Sequence, residues 1–179
     1  MACSLAEELK VLNERIDQIE ERIAVIAAQH PNQPLAKSLP GAGPALEPRL
    51  MTVLGTHPEN CVDASILAIR SGVAPRRIQS GNTCLIQRRM AKPKFEHQTW
   101  IEWAQYSTFQ CAWAREFVKA KTKAGKSYYT AIRALAYKWI RIVYACWKKG
   151  ATYDEAKYLK SLQDRNSPYF PKVAPKACN

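Results

Sequence analysis

Between Leu5 and Ile26 the apolar residues fall at Leu5, Leu9, Leu12, Ile16, Ile19, Ile23 and Ile26, a strict alternation of four-residue and three-residue steps. This is the heptad spacing of a helix whose narrow apolar seam meets another helix. Glu7, Glu8, Lys10, Glu14, Arg15, Asp17, Glu20, Glu21 and Arg22 lie between the seam positions, where they solvate the other faces and can pair at i,i+3 and i,i+4. The helix is predicted to stop near His30, because Pro31 and Pro34 remove backbone donors and the pattern breaks there. Two arrangements use such a seam: a helix packed on its own domain, or a coiled coil joining two protomers. The strict 3.5-residue period is narrower than the stripe a core-facing helix needs, and so favours the coiled coil and a homodimer or larger assembly.

The rest of the chain has the composition of a folded domain. Of 179 residues 47% are apolar, enough to bury a core and to exclude disorder throughout. Lys and Arg number 27 against 15 Asp and Glu, a net charge of +12, which makes polyanions the natural partners, nucleic acid ahead of an anionic membrane surface. No run approaches the ~20 apolar residues of a bilayer span, and the N-terminus lacks the basic-then-apolar layout of a secretion signal. The expectation is a cytoplasmic protein with no membrane partner. Cys3, Cys61, Cys84, Cys111, Cys146 and Cys178 show no CxxC or Cys/His spacing, so neither a zinc site nor a disulfide framework is expected, and no metal ligands are assigned.

Four segments follow from the punctuation: a coiled-coil helix over 1–30, a linker over 31–38, a helical domain over 39–162 and a weakly ordered tail over 163–179. The fold class is mainly α. At the start of the domain Leu39-Pro40-Gly41-Ala42-Gly43-Pro44 permits a tight turn ahead of a helix carrying Leu50, Val53 and Leu54. The turn resembles that of helix-hairpin-helix modules, where backbone N–H groups and a helix N-terminus face a phosphate, so Gly41 and Gly43 are candidate nucleic-acid contacts. A plain interhelical turn fits equally well.

A short apolar stretch, Ala64 to Ile69, leads into Ser71-Gly72-Val73-Ala74-Pro75, and there the basic charge gathers. Arg70, Arg76, Arg77, Arg88, Arg89, Lys92 and Lys94 stand with no Asp or Glu among them. Such a span repels itself unless a polyanion lies against it, which makes Arg76, Arg77, Arg88, Arg89, Lys92 and Lys94 candidate phosphate contacts. Further on, one amphipathic helix is predicted from Thr99 to Ala120, with Trp100, Trp103, Ala104, Phe109, Trp113 and Phe117 available to the core. Another runs from about Ser127 through Tyr144 with Ala131, Ile132, Leu135, Ala136, Trp139, Ile140 and Val143 in helical phase. The basic loop Lys119, Lys121, Lys123, Lys126 between them serves equally as a phosphate contact or a solvated turn. The tail after Gln163, with Pro168, Pro171 and Pro175, is expected to be extended.

Four elements taken in order carry a resemblance: Leu39-Pro40-Gly41-Ala42-Gly43-Pro44; Ser71-Gly72-Val73-Ala74-Pro75 with Gln79-Ser80-Gly81; Lys94-Phe95 with Gln98-Thr99-Trp100-Ile101-Glu102-Trp103-Ala104; and Gly125-Lys126-Ser127 leading into Ala131 to Ile142. Across most of residues 35 to 162 the chain resembles the C-terminal domain of insertion-sequence 110/116/902 family transposases, whose members carry a coiled coil ahead of it. The resemblance implies a bacterial, nucleoid-associated recombinase that acts on DNA and, in some members, is guided by a bridging RNA. It implies two catalytic parts, a RuvC-like domain with metal-binding carboxylates and this domain with a serine nucleophile, and Ser80 falls at the family's serine. The implied chemistry is attack of Ser80 Oγ on a DNA phosphodiester, with Arg76, Arg77, Arg88 and Arg89 as candidate cations for the transition state. Mg2+ is expected in the RuvC-like domain, which this chain is expected to lack, and no cofactor is expected on the chain itself. Gln79, Asn82 and Thr83 flank the serine without an acid or histidine. On the Ser-Gly dipeptide alone, a polar residue in a turn is the simpler reading. His57 and His97 suit surface or capping roles, and Tyr128 and Tyr129 lack the Arg-His-x-x-Arg context of tyrosine recombinases. The alternative to a catalytic part is a non-catalytic nucleic-acid-binding remnant that dimerises through the coiled coil.

Overall fold

The computed structural model describes residues 2–171. Helix α1 spans Ala2–Ala28, roughly 40 Å at the usual rise. Its seam lies bare: Ile23 is 43% and Ile26 69% exposed, with Leu5, Leu9, Leu12, Ile16 and Ile19 between those values. Among the described residues only the C-terminal end of α1 is anchored, where Asn32 Nδ2 donates to the Gly55 carbonyl at 2.6 Å and the Asn32 N–H donates to His30 Nδ1. A short helix α2 (Gln33–Lys37) then enters the domain.

Helices α3 (Gly43–Leu54), α4 (Ala64–Arg70), α5 (Lys94–Gln110), α6 (Ala112–Lys123) and α7 (Tyr128–Lys148) pack round one core, and α8 (Glu155–Asp164) closes it. The chain is thus mainly helical, as expected. Trp100, Trp103, Trp113 and Trp139 are fully buried, with Trp139 4.7 Å from both Trp103 and Trp113 between ring centres. Indoles of this size supply much of the burial that holds a small domain together, and their N–H groups need acceptors. Trp139 Nε1 donates to Ser107 Oγ at 2.8 Å, and Trp103 Nε1 to the Pro40 carbonyl at 3.0 Å. The second of these pins the turn before α3 to the core.

Two expectations need correction. The single helix predicted from Thr99 to Ala120 is two helices, because Cys111 is extended (φ −107, ψ 115). Arg115 makes the break tolerable: its Nε and Nη2 take the Thr108 and Phe109 carbonyls that α5 leaves orphaned. The same bend turns Phe109 outward, 67% exposed, so it does not join the core. The second correction is a two-stranded antiparallel sheet, β1 (Arg76–Ser80) with β2 (Thr83–Gln87), where no strand was anticipated.

Helix α7 begins at the Ser127 N-cap, whose Oγ accepts from the Thr130 N–H, and presents Ala131, Ile132, Leu135, Ala136, Trp139, Ile140 and Val143 to the core in the expected phase. The segment after Gln163, anticipated as extended, is packed as far as it is described. Tyr169 sits 4.7 Å from the Phe117 ring and Phe170 rests on the core, while Pro175, Cys178 and Asn179 lie outside the described residues. Cys61, Cys84, Cys111 and Cys146 are free thiols. Among the described residues no helix is long and apolar enough to cross a membrane.

Candidate nucleic-acid interface

Helix α4 ends in a turn that launches the hairpin. The N–H groups of Val73 and Ala74 both donate to the Ala68 carbonyl at 2.9 Å, and Gly72 holds a φ of 65. A side chain at Gly72 would collide with that of Lys92, so the glycine lets the segment after the hairpin lie against the turn before it.

In the hairpin Arg76 pairs with Gln87, Arg77 with Ile86, Ile78 with Leu85, Gln79 with Cys84 and Ser80 with Thr83. Alternation places Arg76, Ile78 and Ser80 on one face with Thr83, Leu85 and Gln87, and Arg77 and Gln79 on the other with Cys84 and Ile86. The turn residues are Gly81, at φ 54, and Asn82, which fits the turn geometry that matches the twist of a hairpin. Every residue of both strands is exposed. At ~3.3 Å per residue the ribbon holds Ser80 about 13 Å beyond Arg76, at the tip.

The basic residues divide into two groups. Arg76, Arg77, Arg88 and Lys94 are exposed to solvent, and Arg77 Nε lies 3.1 Å from Cys84 Sγ. Arg89 and Lys92 are half-buried at the foot of the ribbon. Arg89 Nε is buried without a hydrogen-bond partner. Lys92 Nζ lies 2.7 Å from His97 Nε2, and His97 Nδ1 lies 3.2 Å from the Ser71 carbonyl. A carbonyl only accepts, so Nδ1 carries the proton and Nε2 accepts from the Lys92 ammonium. Burial first, and then Lys92, hold the imidazole below its ordinary value; burial, Arg133 and Arg88 do the same to the Lys92 ammonium. Arg133, on α7, therefore joins Arg88 and Lys92 in one cationic foot. Sequence reasoning missed it, because nothing local signals that the charges of segments so far apart influence one another.

The two glycines before α3 differ. Gly41, at φ 75, donates its N–H to Gln110 Oε1 at 2.8 Å, and a Cβ there would stand 2.9 Å from the Tyr106 carbonyl carbon. It is a packing glycine against α5. Gly43, at φ 58, faces open space.

Among the described residues no side chain hydrogen-bonds the Ser80 hydroxyl, and neither strand carries an acid or a histidine. His57 is paired with Glu59 at 2.7 Å on the 3-10 turn Pro58–Asn60, and Glu96 accepts from Arg70 and Ser71. Among the described residues no group of three or more His, Cys, Asp or Glu is placed to hold a metal. What the site offers is an exposed hydroxyl at the end of an acid-free ribbon with a cationic base.

Residues 33–119 match the Transposase IS116/IS110/IS902 family. The match runs from the first residue of α2 into α6 and contains the hairpin with Ser80. The match covers just under half of the chain, and what that part is similar to is a transposase domain, a family of transposition and DNA recombination. Helices α7 and α8 lie beyond the matched residues. No curated protein matches the chain.

Proposed function

We propose that this transposase domain cleaves and rejoins DNA through Ser80, with the hairpin laid along the phosphodiester backbone. The observation that carries the reading is the placement of Ser80 at the tip of an exposed ribbon without acids, inside the segment that matches the transposase family. In the step, Ser80 Oγ attacks phosphorus and forms an O–P bond. The P–O bond to one deoxyribose breaks, that oxygen takes up a proton, and the serine proton passes to a base. The phosphoserine link keeps the bond energy for a second strand. Arg76, Arg77 and Arg88 neutralise the phosphate; a serine hydroxyl also needs help to lose its proton at neutral pH.

The described residues hold no set of donors that fits Mg2+, so no step is assigned to a metal on this chain. In this reading the carboxylates and their ion belong to a RuvC-like domain, and the seam of α1 joins two protomers. A bridging RNA would use the same basic surface as DNA.

A strand-cleavage reaction with a suicide DNA substrate and added full-length family transposase tests the nucleophile. A covalent protein–DNA adduct is expected with Ser80 and none with Ser80→Ala. Absence of the adduct from the first, or its persistence in the second, overturns the assignment. One observation favours a second reading, a non-catalytic nucleic-acid-binding remnant: the ribbon carries no acid or imidazole beside Ser80. Both readings require steep salt dependence of binding, since phosphate contacts release counterions. Arg76→Glu with Arg77→Glu should weaken affinity with little change in sequence preference.

A further inference from the structure

In the part of the chain beyond the matched residues, α7 and α8 line an open groove of about 780 Å³. Lys138, Arg141 and Lys149 of α7 and its C-cap line one wall, and Lys157 and Arg165 of α8 and its C-cap line the other. Along α7 these positions follow the helical steps 138, 141 and 149, a row roughly 16 Å long. The four ion pairs among the described residues include none of these five cations. Asp154 also lines the groove, but its Oδ1 accepts from the Lys157 N–H as a helix cap.

Lys138 sets the floor. Its Nζ lies 4.8 Å from the Tyr169 ring centre, 5.4 Å from Phe117, 5.7 Å from Trp113 and 6.0 Å from Tyr158. Four ring faces hold the ammonium in place without a carboxylate. Burial pushes its pKa down, and Arg165, Arg141 and Lys121 push it further, the signature of cations that repel one another. Tyr158, half-buried between the walls, adds an aromatic surface.

We propose that this groove binds the phosphodiester backbone of a single nucleic-acid strand, at a site separate from the hairpin. Converging cations beside Tyr158, the one of these rings that lines the groove, suit a single strand, whose phosphates the cations neutralise while a base stacks on the tyrosine. A groove of this volume is in the range of ligand pockets, with room for a few nucleotides and none for a duplex. The inference rests on the nucleic-acid reading above only for its choice of ligand.

The test uses the full chain with Arg141→Gln, Lys157→Gln and Arg165→Gln combined; all three are exposed, and an unchanged melting curve confirms the fold. Binding of dye-labelled single-stranded DNA, single-stranded RNA and duplex DNA is titrated at several salt concentrations. For single strands the expected result is an affinity loss of about tenfold or more and a salt slope shallower by about 2, with duplex affinity unchanged. In the wild-type chain the single strand should shield Lys149 and Lys157 from acetylation, with Lys10 on α1 as the unshielded reference. Should the variant fail to fold, that shielding decides the matter. Unchanged single-strand affinity, no shielding, or equal shielding by millimolar inorganic phosphate would overturn the proposal. The Arg76→Glu/Arg77→Glu variant runs in parallel: loss there but not in the groove variant sinks the groove alone, and loss in neither sinks both sites.

Discussion

The indole N–H of Trp113 donates to the Tyr153 hydroxyl at 3.0 Å inside the core. Trp113 lies within the residues that match the transposase family and Tyr153 beyond them, so the bond fastens the segment before α8 to the matched part. Tyr153→Phe leaves a buried donor without a partner, which costs about 1–3 kcal/mol. Urea denaturation should show the midpoint falling with an unchanged slope. An unmoved midpoint would mean that the donor finds water.

Gly41 and Gly43 separate backbone strain from steric overlap. Both hold positive φ, so alanine at either costs about 1–2 kcal/mol. At Gly41 the new Cβ also meets the α5 backbone, adding about 1–3 kcal/mol. Thermal melting should rank Gly41→Ala well below Gly43→Ala, and equal melting would show that the turn moves away from α5.

His97 should make stability depend on pH. Its folded pKa lies below the ordinary 6.5 because burial and Lys92 disfavour the imidazolium. Below pH 6.5 the unfolded state therefore binds more protons than the folded one. Stability is full above that pH, falls as the pH drops below it, and levels only once the folded imidazole also protonates. Denaturation midpoints between pH 5 and pH 7.5 should show this fall in the native chain and a flatter profile in His97→Gln.

The bare seam of α1 should be covered in solution. Light scattering is expected to give twice the 20.2 kDa chain mass for the native protein, and the single mass for Ile16→Asp with Ile23→Asp. A native mass of one chain would show the seam unpaired at that concentration.

The features legible in the sequence were those set by periodicity. The seam of α1 and the core phase of α7 follow from side-chain spacing along one helix, and neighbours have little say in either. The hairpin went unread, although Gly81-Asn82 separates Arg76–Ser80 from Thr83–Gln87 by a two-residue loop of the kind that favours strand reversal. Counting charges obscured it. The break at Cys111 was not legible, because the carbonyls it frees are taken by Arg115 from the next helix, and no glycine or proline announces it. At the site, the position of Ser80 came from resemblance. The cationic foot needed the fold, since only packing brings Arg133 of α7 to Lys92. Arg89 and Lys92 were read as phosphate contacts alongside Arg88, and the chain after β2 half-buries both.

Among the described residues the ribbon that carries Ser80 has no packed face, and its outer edges have no neighbouring strand. Two strands alone are only marginally stable in water. In-line attack on phosphorus demands a hydroxyl held within a fraction of an ångström, and such a ribbon acquires that rigidity only from whatever is laid upon it. If Ser80 is the nucleophile proposed above, its reactivity is thereby conditional on assembly. A solitary chain that drifts along DNA would leave the strands intact, and the same serine would become competent once substrate and partner together clamp its support.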